Sequence, residues 1–188
     1  MPRPDAALTR QRLLDSGAAL AGSKGLATLT VDDIVAQAGC AKGTFFTHFA
    51  TRADFFISLH RAFHDRVAGR VQTVIENLEP GLPRLLRGSL AYLDACRQEH
   101  SVKALLVEAR WLPEISAEVH RQNARFDGLA AINFEAAGWP SPRQAARLWV
   151  ALVAETALAE AETARRLSGY RRQLPIFLGL SQNLPPAD

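Results

Sequence analysis

Apolar side chains recur every three or four residues along most of this chain, and no stretch alternates apolar with polar as a strand would. The spacing predicts helices over about 6–23, 31–38, 41–49, 52–77, 83–97, 101–111, 114–136, 142–167 and 171–181. Leu13, Leu14, Ala18 and Leu20 form the inner stripe of the first, and Ile34, Val35 and Ala38 that of the second. Phe45 and Phe49 are four apart and share the core face of the third. Phe56, Leu59, Phe63, Val67, Val71 and Val74 line one side of the fourth. Breaks fall at Gly25, Gly39, Glu79-Pro80-Gly81, Gln98–Ser101, Pro113 and Gly138-Trp139-Pro140. Thr30 with Asp33, and Thr51 with Asp54, read as helix caps, and Gly39 sits where a left-handed C-cap belongs. Ser141 is the expected cap of the helix that Pro142 opens, and Pro175 is expected to kink or start the last one. The tail Asn183-Leu184-Pro185-Pro186 reads as loose. The expectation is an all-α protein: a three-helix N-terminal domain over residues 1–52 and a larger helical bundle over 53–188.

With 188 residues, 48% of them hydrophobic, the chain can bury a sizeable core. The formal charge of +3 is carried mostly by arginine, with lysine only at 24, 42 and 103, and leans mildly toward a polyanionic partner. Two cysteines, Cys40 and Cys96, are too few for a disulfide framework; both read as small buried apolar residues in a reducing, cytoplasmic setting. No apolar run approaches the roughly 20 residues of a membrane span, and the N-terminus has no signal-peptide core. His60 and His64 are four apart but have no partner at a metal-ligand spacing, so no metal and no cofactor is expected. No nucleophile–base pair, carboxylate dyad or phosphate-cradling loop stands out, so the chain does not read as an enzyme.

Two short helices joined by a glycine turn make a helix-turn-helix, whose second helix fits the major groove of duplex DNA. Gly43 removes a side chain where the helix must approach the sugar-phosphate backbone. Lys42 and Thr44 lie at the end that meets base edges, with Thr47 one turn on. His48 can donate to phosphate, and Phe46 can pack on sugar or a thymine methyl. Arg52, with the amides opening the fourth helix, would make a phosphate seat. Thr30, the cap of the second helix, completes the expected DNA-facing set.

Residues 10–56 carry an ordered signature: Arg10-x-x-Leu13-Leu14-Asp15, Lys24-Gly25, Thr30-Val31-x-Asp33-Ile34-Val35, Ala38-Gly39, Lys42-Gly43-Thr44 and His48-Phe49. The signature resembles the N-terminal domain of the TetR (tetracycline repressor) family of transcriptional regulators. That resemblance implies a homodimer whose paired recognition helices read a palindromic operator. It also implies a C-terminal domain that binds a small-molecule effector and releases the DNA. Five positions depart from the family's usual residues. Ala21 replaces Phe, leaving volume for a neighbour such as Leu29, and Ala41 replaces a capping Ser, a loss of about 1 kcal/mol. Phe46 replaces a Tyr whose hydroxyl commonly meets phosphate, Cys40 replaces Val, and Arg52 replaces Lys. These changes predict weaker or more salt-sensitive operator binding.

Beyond residue 53 no motif names a ligand. Large apolar residues at Phe63, Trp111, Phe126, Phe134 and Trp149 share helices with His64, His120, Asn123, Asn133 and Glu155. Such a set suits a pocket for a small hydrophobic or aromatic ligand, although aromatics at helical spacing also suit a plain core. On the eighth helix Ala145, Leu148, Leu152, Thr156, Ala159 and Thr163 form a stripe of mostly small residues, expected to meet a second copy together with the last helix. The alternative function is a ligand- or protein-binding module that keeps the fold with weak or no DNA binding.

Overall fold

The computed structural model describes residues 4–109 and 112–180. Among the described residues every regular element is a helix: α1 (Pro4–Leu20), α2 (Val31–Ala38), α3 (Lys42–His48), α4 (Arg52–Ile75), α5 (Leu82–Gln98), α6 (His100–Ala109), α7 (Pro113–Ala136), α8 (Pro142–Thr163) and α9 (Ser168–Phe177). The all-α expectation holds. None of these helices is long and apolar enough to cross a membrane. Trp111 and the tail at Asn183–Pro186 lie outside the described residues.

The last two helices depart from expectation: α9 runs Ser168–Phe177 rather than 171–181, and α8 stops at Thr163 rather than near 167 because Ala164 turns left-handed, with φ at 51°. The cause lies outside the local pattern. The Glu160 carboxylate accepts from the Leu167 amide at 2.9 Å and from the Arg171 guanidinium, so the chain turns there and starts α9 early. Pro175 sits inside α9 rather than at its start. Ser141 occupies the N-cap position of α8, but its hydroxyl makes no cap bond.

Contacts divide the chain into two compact units, Met1–Arg66 with Glu99–Val119, and Val67–Gln98 with His120–Asp188. The expected boundary at 52/53 falls at the first turn of α4, inside the first unit. That unit buries Leu13, Leu29, Ile34, Phe45, Phe55, Phe56, Leu59 and Phe63 completely. Each phenylalanine so buried is worth about 1.5–3 kcal/mol. Gly17 admits this packing, since a Cβ there would lie 2.4 Å from Cζ of Phe55.

In the second unit, Leu93, Ala146, Trp149, Val153, Ala157 and Leu174 are buried. The Trp149 indole donates to Ser89 Oγ at 2.9 Å, and that hydroxyl donates to the Leu85 carbonyl. Arg171 is 5% exposed and binds Glu160, itself 2% exposed, through two bonds of 2.7 Å, and also pairs with Asp94. This buried cation ties α9 to α8 and α5; removing one partner of such a pair typically costs about 3–5 kcal/mol.

His60 and His64 are 5% and 6% exposed, with ring centroids 4.4 Å apart. Among the described residues Nδ1 of His60 is buried without a hydrogen-bond partner. Burial first, and the Lys103 ammonium next, hold the His60 pKa down to about 4, against the pull of the Glu118 carboxylate. The unfolded chain takes up the same proton near 6.5. Stability from neutral His60 is therefore complete above pH 6.5 and is lost as pH falls through about 4. Urea melts stepped from pH 7 to 4 should show that loss in the native protein, and His60→Phe should flatten the profile. An equal slope in both proteins would rule out His60 as its source.

Candidate nucleic-acid interface

The interface begins with α2 and the turn that follows it. Thr30 Oγ1 accepts from the Asp33 amide at 3.2 Å, and the Thr30 amide donates to Asp33 Oδ2 at 2.9 Å, so the expected cap is a reciprocal box. Lys24 Nζ lies 2.6 Å from Asp33 Oδ1. That bond first, and those from Thr30 next, hold the Asp33 carboxyl well below its ordinary range. At the far end Gly39 is left-handed at φ 63°, its amide bonds the Ala36 carbonyl, and the Cys40 amide bonds that of Val35. This Schellman arrangement needs a residue without a Cβ penalty at Gly39. Cys40 is half-buried in the turn.

α3 follows at once, with a backbone shaped for a cap at Ala41 (φ −76°, ψ 153°) and no side chain to make one. Its inner face is pinned by aromatic packing. The Phe45 ring lies 5.3 Å from Phe49 and 5.4 Å from Phe55, and Phe49 meets Phe55 edge-on at 5.1 Å. Helical spacing then turns Lys42 and Phe46, and Gly43 and Thr47, to solvent, while Thr44 and His48 sit half-buried at the rim. Phe46 is 49% exposed. A Cβ at Gly43 would meet nothing within 4 Å, so the chain's own packing does not require glycine there. Thr47 Oγ1 donates to the Gly43 carbonyl at 3.0 Å, and Lys42 Nζ pairs with Asp32 at 2.9 Å. Thr30 is exposed at the start of α2.

Arg52 corrects an expectation. Its guanidinium turns inward, donating to the Leu26 carbonyl and, at 3.0 Å, to that of Leu29, and it lies over the Phe56 ring at 4.9 Å. A cation occupied in this way makes no phosphate seat. The Leu26 amide donates to Glu108 of α6 at 2.7 Å. One peptide residue thus joins the loop before α2 to α4 and α6, a role that spacing along the chain gives no hint of. The start of α4 carries a second capping box, Thr51 with Asp54, at 3.0 Å in both directions.

The other predicted residues divide between the two units. Phe63 and His64 are buried in the first unit. In the second, Asn133, Phe134 and Trp149 are core residues. Asn133 Oδ1 accepts from the Gly81 amide and Nδ2 donates to the Leu129 carbonyl; Phe134 packs edge-on against Trp139 at 5.2 Å. Asn123 and Phe126 are half-buried, and His120 and Glu155 are exposed. A groove of about 470 Å³ is lined by Leu78, Glu79, Pro80, Gly81, Pro83, Arg84 and Arg87, none of them in the expected ligand set. Along α8, Leu148 is 73% exposed, Thr163 is exposed, and Ala145, Leu152 and Ala159 are half-buried. Thr156 leaves this stripe: it is 3% exposed and bonds the Leu152 carbonyl, because the 3.6-residue repeat carries it round to its own bundle. Tyr170, Ile176 and Phe177 of α9 are exposed apolar residues that the expected dimer set omitted.

Residues 13–59 match the profile of the bacterial regulatory proteins, tetR family. The chain is 30% identical over 92 residues to the HTH-type transcriptional repressor KstR2 of Mycobacterium tuberculosis, a match covering 49% of this chain and 46% of that one. It thus spans about half the length of that relative. A transcriptional regulator from Rhodococcus sp. Rha1 superposes with a TM-score of 0.76 at 21% identity, over 94% of this chain and 99% of its own. The multidrug binding protein EbrR, solved with imidazole, superposes with a TM-score of 0.70 at 19% identity, over 95% and 96%. At these identities the two structures speak for the fold.

Two substitutions probe this geometry. Ala41→Ser places a hydroxyl on a backbone already in cap conformation and should raise stability by about 1 kcal/mol, read as a higher urea midpoint. Arg52→Ala removes two bonds to carbonyls and should cost about 1–3 kcal/mol, with faster hydrogen exchange through residues 26–30. Unchanged exchange there would mean that Arg52 does not hold the loop.

Proposed function

We propose, from the premise that this chain belongs through its N-terminal domain to the tetR family of bacterial regulatory proteins, that it is a ligand-responsive transcriptional repressor. Two copies bind a palindromic operator, and a small hydrophobic or aromatic effector releases them. The observation that carries this reading is the outward edge of α3. Phe45 and Phe49 hold one face of the helix, so Lys42, Gly43, Phe46 and Thr47 stand clear on the other, with Thr44 and His48 beside them. A helix presented in this way can enter the major groove, with Lys42 and Thr44 at base edges, Thr47 one turn on, and Thr30 and His48 at phosphates. Arg52 has no part in it.

The dimer forms across α8 and α9, through Ala145, Leu148, Leu152, Ala159 and Thr163 with Tyr170, Ile176 and Phe177. It sets two α3 helices about 34–36 Å apart, one turn of DNA. The effector contacts residues of the second unit, among them His120, Asn123 and Phe126. It acts by binding better to a conformation whose α3 spacing no longer fits the operator, and it shifts the equilibrium only by that difference in affinity. That EbrR is a multidrug binding protein of the same fold supports a small-molecule effector. KstR2 being a repressor supports the sign of regulation. DNA binding places the protein in the cytoplasm.

A second reading, a binding module that does not engage DNA, is favoured by the uncapped start of α3 at Ala41. Selection of duplexes from a random pool by the purified protein separates the two. The repressor reading expects enrichment of a palindrome. Lys42→Ala should then lose about 1–3 kcal/mol of preference for it, and Leu148→Arg should yield monomers that bind it weakly. Failure of the native protein to retain any duplex at low ionic strength would favour the module.

A further inference from the structure

Two of the chain's three lysines belong to the N-terminal domain, and α2 supplies an aspartate to each. The pairs differ. Asp33 also closes the capping box with Thr30, and its pair with Lys24 is half-buried, so that pair belongs to the fold. Asp32 has no such second role. Among the described residues its carboxylate bonds only Lys42, through Oδ1 at 2.9 Å and Oδ2 at 3.0 Å, with side-chain exposures of 70% for Asp32 and 56% for Lys42. Folding does not need an exposed pair of this kind, which contributes little to stability. A carboxylate on a surface meant for phosphates is also unfavourable for binding polyanions in general.

Resting on the DNA-binding reading above, we infer that Asp32 is a specificity-determining residue: it holds Lys42 in the free protein and withholds that charge from any duplex lacking a better partner at that point. On a random duplex, a phosphate must compete with a carboxylate that already holds the ammonium through both oxygens, so the contact gains little. On the right sequence, acceptors at a base edge join the phosphate field, and Lys42 leaves Asp32 for them. The ion pair thereby lowers non-specific affinity more than specific affinity. It acts through Lys42, as a positioning residue.

The test uses full-length protein, a duplex enriched by the native protein from a random pool, and a duplex of scrambled sequence. Asp32→Asn should raise affinity for the scrambled duplex about two- to fivefold, the worth of an exposed ion pair. Its dependence of log K on log salt should steepen by about 0.9 per reading head, one added phosphate contact. The ratio of enriched to scrambled affinity should fall. In a Lys42→Met background the same substitution should change neither slope nor ratio. An Asp32→Asn protein with an unaltered slope and ratio overturns the inference, as does an effect that survives in the Lys42→Met background, which would mean direct repulsion of DNA. Asp32→Ser, with helicity checked by circular dichroism, guards against a mere loss of the charge that opens α2. If the native protein retains neither duplex, the DNA-binding reading itself falls and takes this inference with it; retention without the Asp32 effect removes only the inference.

Discussion

The packing of Phe45 and Phe49 against Phe55 is the contact on which the rest of the structure depends. α3 is only seven residues long, too short to hold its shape alone, and carries no cap at its start. Burial of two rings on one face fixes both the existence of the helix and its rotation about its own axis. Once that rotation is set, the identity of the outward residues follows from the helical repeat, and Lys42, Gly43, Phe46 and Thr47 have no other place to go. α1 supports the same contact from behind, where Gly17 leaves room for the Phe55 ring.

Charge in the first unit serves the fold before it serves any partner. Lys24 closes onto the capping box of α2, Arg52 fastens the loop at Leu26 and Leu29, and Arg66 grips Glu99, the residue before α6, at 2.6 Å. The net charge of +3 therefore overstates what the surface near α3 offers a polyanion. Lys42 is the cation there with an exposed and exchangeable partner, which is why recognition is expected to turn on it. The second unit uses a buried cation differently: Arg171 decides where α8 ends and α9 begins, and through those ends which apolar residues of α9 are left facing outward.

Much of the fold was legible in the chain, and so was the outward face of α3. Periodicity located each helix, the Thr-Asp pairs marked the starts of α2 and α4, and the spacing of Phe45 and Phe49 told which side of α3 is hidden. The ordered signature over residues 10–56 resembles the tetR family, and residues 13–59 match that family's profile. Legibility failed where a residue's neighbours are remote. Asn133, Phe134 and Trp149 resemble pocket residues on paper, yet their partners at Gly81, Trp139 and Ser89 make them core. Thr156 shares a stripe with Leu152 and Ala159, but the stripe is wider than the exposed face and its edge is buried.

The sequence by itself determined what depends on residues three or four apart: the helices, their caps, the left-handed turn at Gly39 and the two faces of α3. Those features arise from backbone geometry and from the solvent preference of nearby side chains, both local. Only the tertiary structure decided the partners of the long charged side chains. Arg52 finds Leu26 across 26 positions, Leu26 finds Glu108 across 82, and Arg171 finds Asp94 across 77. An arginine can reach a phosphate or a carbonyl equally well, and which it meets depends on what the fold brings within its reach.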